Sequence, residues 1–296
     1  MDSERLVDGA WPTLPIDIIH AIMGLIAREA VNESLVEHIG SAMQTLQQCA
    51  MVCRTWNHLC RPHIWSRLSI DIAVDSPLPS ISSRVFAQII GRDKDIGSYV
   101  RDLVYNVRYH VGVQSQLAKS KCEYWHLPSE LFLCMTNVRS FKLLVHPSTS
   151  MSKDPLDLPN DGIAHIVSLP TLTNLRLDLK YNRISTPFHL FLKNPSVKNL
   201  HIWYLPTTTR IAEYCTPPSI QLSEFTFFGP LPSLRILFPA LDLSVLDNLA
   251  INVGTEIHGY QPLVAQLGKL RKMSLKSEIW TDSFKFITKS TCRSYH

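Results

Sequence analysis

The residues of this 296-residue chain best suited to chemistry are its thiols and imidazoles, and two groupings stand out. Cys49, Cys53, Cys60 and His63 lie close together. Cys49 and Cys53 have the spacing of one half of a zinc site, whose other ligands normally come from further along the chain. Cys60 and His63 fall on or just past the same expected helix, where a tetrahedral cage is hard to close. Small buried hydrophobes are the simpler account of these thiols. Cys122 and His126 would meet on one helical face as nucleophile and base, yet no third group stands near to orient the base. There is no phosphate-binding loop, dinucleotide fingerprint, nucleophile elbow, kinase signature or paired-histidine zinc motif. The sequence therefore predicts no catalytic residues, no metal and no cofactor.

Composition sets the frame for these residues. Hydrophobic residues make up 45% and charged residues 18%, a globular balance, and the length suits two domains. The formal charge of +4 is dispersed. The densest basic cluster, Lys269, Arg271, Lys272 and Lys276, is broken by other residues and reads as a solvated face, which argues against a nucleic-acid partner. No apolar run is long enough to cross a membrane, and Met1–Pro12 lacks the apolar core of a signal peptide. Seven irregularly spaced cysteines in such a chain suggest reduced thiols, hence the cytoplasm or nucleus.

The pattern changes near residue 70. Before it, apolar residues recur at helical spacing. Pro15 suits the first turn of a helix and Asp17 its positive end, with Ile18, Ile19, Ile22, Met23 and Ile26 forming an apolar stripe. A second helix is predicted from about Met43 to Cys60, apolar almost all round, with Pro62 limiting its extension. About 50 residues form only a marginal core, so one apolar face needs cover from the rest of the chain or from a partner.

Leu14-Pro15-Ile16-Asp17-Ile18-Ile19, then Val52-Cys53-Arg54-Thr55-Trp56, then Trp65, resemble an F-box. The resemblance covers residues 14 to 65, and the stretch from Ala27 to Ala42 is longer than the family's usual link, as an inserted loop or helical turn would be. It implies an all-α module over 14–68, after a flexible start over 1–13, that binds the Skp1 adaptor and through it a cullin scaffold. Leu14, Pro15, Ile18 and Ile19 of the first helix, with Val52, Cys53, Arg54 and Trp56 of the later one, would meet the adaptor.

Beyond residue 69, an apolar L-x-x-L-x-L template recurs every 24 or 25 residues, at Leu172/Leu175/Leu177, Val197/Leu200/Ile202, Leu222/Phe225/Phe227, Leu246/Leu249/Ile251 and Leu270/Met273/Leu275. Earlier copies fit at Val138/Phe141/Leu143 and Val100/Leu103/Tyr105. Leu231, Leu234, Leu237, Phe238 and Leu241 give one connecting segment helical spacing. The period resembles degenerate leucine-rich repeats, without their asparagine three residues past the last apolar position. The expected fold is thus α/β: an F-box module, then an irregular leucine-rich-repeat-like solenoid over 69–296, with a non-repeat α/β sheet as the alternative.

In F-box proteins of this type the repeats hold a target. The alternate strand residues would then line the binding face: Arg176, Asp178, His201, Trp203, Thr226, Phe228, Ala250, Asn252, Ser274 and Lys276. Trp203 and Phe228 fit either aromatic anchors of that face or packing beneath a neighbouring loop. The resemblance implies a non-catalytic receptor of a Skp1–cullin–F-box ubiquitin ligase with an unknown target protein. The alternative is an interaction protein whose F-box-like helices work without a cullin or support its own repeats.

Overall fold

The computed structural model describes residues 15–33, 41–73, 81–108, 129–146, 160–179, 194–203, 220–229, 237, 241–252 and 272–276. The chain divides into two compact units, Met1–Arg67 and Leu68–His296.

The described part of the first unit holds helices α1 (Ile16–Glu33), α2 (Ser41–Val52) and α3 (Arg54–Ile64). Pro15 stands just ahead of α1, and its carbonyl accepts from the N–H groups of Ile18 (3.0 Å) and Ile19 (3.3 Å). It caps the helix instead of occupying its first turn. Ile19 and Met23 of α1 join Leu46 of α2 and Cys60 of α3 in one core, with Ile26, Trp56, Leu59 and Ile64 packed partly against it. The Cys60 sulfur lies 3.5 Å from Met23 Sδ, and burial, reinforced by Cys49, pushes the thiol pKa up. This thiol behaves as core.

The helix expected over Met43–Cys60 is two helices, because Cys53 is extended (φ −161°, ψ 171°). A tertiary hydrogen bond holds the break. Asn57 Nδ2 donates to the Ala50 carbonyl in the last turn of α2 (3.1 Å), and Arg61 Nε donates to Asn57 Oδ1 (2.8 Å). A carbonyl that α2 leaves unpaired is thereby satisfied from α3. Nor is the pair apolar all round: Arg54, Thr55 and His58 face solvent while Cys60 is buried. Pro62 does not stop α3, which continues to Ile64. Past the proline, the Arg61 and His63 carbonyls accept from Trp65 N–H (3.0 Å) and Ser66 N–H (3.4 Å). The supposed insertion at 27–42 is in good part helix, since α1 runs to Glu33 and α2 starts at Ser41.

The second unit is α/β. Its strands are β1 (Arg67–Ala73), β2 (Asp102–Arg108), β3 (Ser140–His146), β4 (Asn174–Leu179), β5 (Asn199–Trp203), β6 (Ile220–Gln221), β7 (Glu224–Phe228), β8 (Leu241–Asp242), β9 (Asn248–Asn252) and β10 (Lys272–Lys276). Eight of them form one sheet in the order β1-β2-β3-β4-β5-β7-β9-β10, and β6 pairs with β8 alone. Every pairing from β2 through β10 is parallel. Helices α4 (Ile81–Arg92), α5 (Asp95–Tyr99), α6 (Ser129–Leu133) and α7 (Asn160–Ser168) occur between strands early in the unit.

The register explains the order. Leu103, Phe141, Leu175, Leu200, Phe225 and Leu249 stand side by side, as do Tyr105, Leu143, Leu177, Ile202, Phe227 and Ile251, and all are buried. The template's first positions, Val100, Val138, Leu172, Val197, Leu222 and Leu246, are buried as well. Backbone geometry repeats with them. The carbonyls of Arg101, Arg139, Thr173, Lys198 and Ser223 each accept two consecutive N–H groups at the start of the next strand, at 2.7 to 3.2 Å.

Side chains lock the turns before the strands. Asn194 is buried, and its Nδ2 donates to the carbonyls of Val167 and Leu169, both at 2.8 Å, while its Oδ1 accepts from Ser196 N–H at 3.0 Å. One side chain thus satisfies two carbonyls of the preceding turn. Of the connecting segment expected to be helical over 231–241, Leu237 is buried in a helical turn, but Leu241 begins β8; the rest lies outside the described residues.

Close approach requires glycine at Gly97 in α5. A Cβ there would stand 2.6 Å from the Cys134 carbonyl oxygen and 2.8 Å from its carbon, and backbone cannot yield as a side-chain tip can. Gly97→Ala is expected to destabilise the second unit by about 1–3 kcal/mol, read by urea unfolding. An unchanged midpoint would show that α5 shifts without cost.

Candidate functional site

Two surfaces carry the residues singled out from the sequence. The first is on the helical unit. Ile19 faces the core, while Ile18 is exposed. Ile18, Ile22 and Leu25 repeat at helical spacing and form a second apolar stripe beside the inward stripe of buried Ile19 and Met23 and partly buried Ile26. At the α2–α3 junction Met51 (79% exposed), Val52 (67% exposed), Cys53 and Arg54 face solvent, whereas Trp56 is half-buried against the core. Leu14 lies outside the described residues. Ile22, Leu25 and Met51 were missing from the expected contact residues. Ile22 is visible in the helical period, but the sequence does not tell which of two adjacent stripes turns inward.

The second surface is the face of the main sheet opposite its apolar rows. Lys142, Arg176, His201, Thr226 and Ala250 stand in one row across β3, β4, β5, β7 and β9. Leu144, Asp178, Trp203, Phe228 and Asn252 form the next. The structure thus brings Arg176, Asp178, His201, Trp203 and Phe228 together on adjacent strands. The backbones of Ser274 and Lys276 extend the rows on β10, and nothing is described of their side chains or that of Asn252. Within these rows the Trp203 and Phe228 rings lie 4.6 Å apart at 36°, and Arg176 Cζ sits 5.5 Å from the Trp203 ring centroid. A cation, an indole and a phenyl ring therefore run in sequence across three strands.

Asp178 departs from the expected picture of an open binding residue: it is on this face but only 4% exposed, and its Oδ1 has no hydrogen-bond partner among the described residues. Asn106 of β2, which the sequence did not mark, is also buried and donates from Nδ2 to Asp71 Oδ1 at 2.7 Å. A further polar row precedes the strands' apolar positions. Asn199 Nδ2 donates to Asn174 Oδ1 at 2.5 Å, and Asn248 Nδ2 to Glu224 Oε1 at 3.1 Å. Its signal is a polar residue at the third position of each template copy, and it holds strands together rather than offering free groups.

Burial lowers the pKa of His201. Glu224 opposes the fall, and Arg176 and Lys142 add to it. The folded pKa then lies below the unfolded one, so the contribution of this side chain is intact above about pH 6.5 and is lost as pH falls through the folded value. The melting temperature of the parent chain should drop more between pH 7 and pH 5 than that of His201→Gln. Parallel curves would mean that another group controls the acid limb.

No family model matches the chain, and no curated protein matches it. Among the described residues no helix is long and apolar enough to cross a membrane.

Proposed function

We propose that this chain is the substrate-recognition subunit of a Skp1–cullin–F-box ubiquitin ligase, a non-catalytic adaptor that docks to Skp1 through its helical unit and captures a target protein on its sheet. The observation that carries this reading is the exposure of Val52, at the start of the segment that resembles the closing half of an F-box, together with Met51 just ahead of it. Contiguous exposed apolar side chains are characteristic of a partner site. Cys53 and Arg54 are exposed beside them.

The second unit supports the other half of the division of labour. We read it as a leucine-rich-repeat-like solenoid: strands follow chain order, the template positions pack as continuous rows, and each unit hands two hydrogen bonds to its neighbour. The mechanism is proximity. The receptor holds target lysines near a charged conjugating enzyme and raises their effective concentration, while bond-making belongs to other subunits. The test is binding of the purified chain to Skp1, followed by recruitment of a cullin and ubiquitin-chain formation in the reconstituted complex. Absence of Skp1 binding removes the proposal, and binding without a cullin leaves an interaction protein in its place.

A further inference from the structure

Buried polar atoms without partners are uncommon, because a group taken out of water and left unpaired costs more than a hydrogen bond returns. Four side-chain atoms are of this kind among the described residues: Asn106 Oδ1, His165 Nε2, Arg176 Nε and Asp178 Oδ1. Three of the four belong to strand residues on the face that carries Trp203 and Phe228. Asp178 is the most demanding, since an ionised carboxylate out of water requires a cation or several donors.

The cation two positions away on the same strand does not meet that requirement. Arg176 precedes Asp178 by two positions on β4, on the same face, yet its guanidinium lies over the Trp203 ring. The indole face therefore accepts a guanidinium, and the carboxylate remains for another. The atoms left over at Asp178 and Asn106 are acceptors, so a ligand has to bring donors. Trp203 and Phe228, tilted together at 4.6 Å, offer an apolar bed of the kind on which an aliphatic stem lies.

We infer that Asp178, Trp203 and Phe228 form the seat for a single basic side chain, a lysine or arginine of a bound polypeptide, its charged head on Asp178 and its stem along the two rings. Calling that polypeptide the ligase's target rests on the function proposed above, but the seat itself does not. Arg176 lies over the indole along which the stem would run, so the incoming side chain takes its place there. Arg176, with no hydrogen bond or ion pair among the described residues, can swing aside. Lys142 and Arg176 stand in the adjoining row, so the favoured segment carries one basic residue among neutral or acidic neighbours, not a basic run. An acidic side chain directed at Arg176 would instead bring like charge beside Asp178 and leave its oxygen unpaired.

The experiment uses the full chain and fluorescence polarisation with four pools of labelled nonapeptides. The pools share randomised neutral flanks and carry Arg, Lys, Ala or Glu at the centre. The Arg and Lys pools should bind at least about tenfold more tightly than the Ala and Glu pools. Asp178→Asn, which is nearly isosteric, should abolish that preference while leaving the melting temperature unchanged or raising it, because a buried charge is removed. Trp203→Leu, checked for folding by circular dichroism, should weaken the Arg and Lys pools. Equal binding of the four pools, preference for Glu, or a basic preference that survives Asp178→Asn overturns the inference. Skp1 binding measured on the same preparation separates the two readings. Basic preference without Skp1 binding keeps the seat and removes the ligase; Skp1 binding without basic preference does the reverse.

Discussion

Phe227→Ala is expected to destabilise the second unit by about 3–5 kcal/mol. Phe227 is wholly buried, and its strand is flanked in register by Ile202 on β5 and Ile251 on β9. Its ring centroid lies 6.4 Å from that of Phe225. Removing the ring leaves a cavity between two β-branched side chains with few alternative rotamers. Their backbones are pinned by parallel pairing on both sides of β7, so collapse into the gap is limited. Domains of this size are stable by about 5–15 kcal/mol, so the loss is a third or more of the whole. Urea unfolding gives the total. Hydrogen exchange gives the location: protection should fall most in β7 and β9, and α1–α3 should keep theirs. Phe227→Leu should recover most of the loss, because it restores apolar volume. A penalty below about 1 kcal/mol would mean that the repeated apolar rows are not the continuous core they form in the structure.

The rows were legible because a strand period and a chain period coincide. Leu175, Leu200, Phe225 and Leu249 recur at near-constant spacing, and parallel register needs nothing more to set them side by side. Even the copy at Val138, separated by a longer segment, pairs in step through β3. What escaped sequence reasoning depends on contacts between distant positions. Asn194 reads as an ordinary turn residue before proline, and its importance comes from carbonyls at Val167 and Leu169 that only the fold brings near. The break at Cys53 has no glycine or proline to announce it. It follows from Asn57 reaching back to Ala50, while Pro62, the one visible helix breaker, is tolerated in the last turn of α3. β6 and β8 are too short to have a period at all. At the candidate site, strand alternation placed Asp178, Trp203 and Phe228 on one face, but the burial of Asp178 is a property of the surroundings and not of its own position.

The same distinction between pattern and packing decides how the proposed Skp1-docking surface has to be tested. Trp56 is the obvious residue to remove from the F-box-like segment, yet it packs partly against the core formed by Ile19, Met23, Leu46 and Cys60. Trp56→Ala would therefore lower both stability and binding, and the two losses would be hard to tell apart. Val52→Asp avoids this, because Val52 and its neighbour Met51 are largely exposed and make no part of that core. An exposed substitution of this kind should change stability by no more than about 0.5 kcal/mol. At an interface it would force a carboxylate into a dry apolar contact without a partner, at a cost of several kcal/mol. A penalty of about 3 kcal/mol corresponds to roughly a hundredfold weaker Skp1 binding. Met51→Asp should weaken binding in the same direction, while Glu130→Gln, exposed on α6 of the second unit and part of neither apolar surface of the helical unit, serves as a control for nonspecific charge effects. The measurement is calorimetric titration of Skp1 into each variant, with a melting curve alongside. Unaltered affinity for Val52→Asp, in a parent chain that does bind Skp1, would move the adaptor contact away from the α2–α3 junction and leave the outer stripe of α1, Ile18, Ile22 and Leu25, as the surface to challenge next.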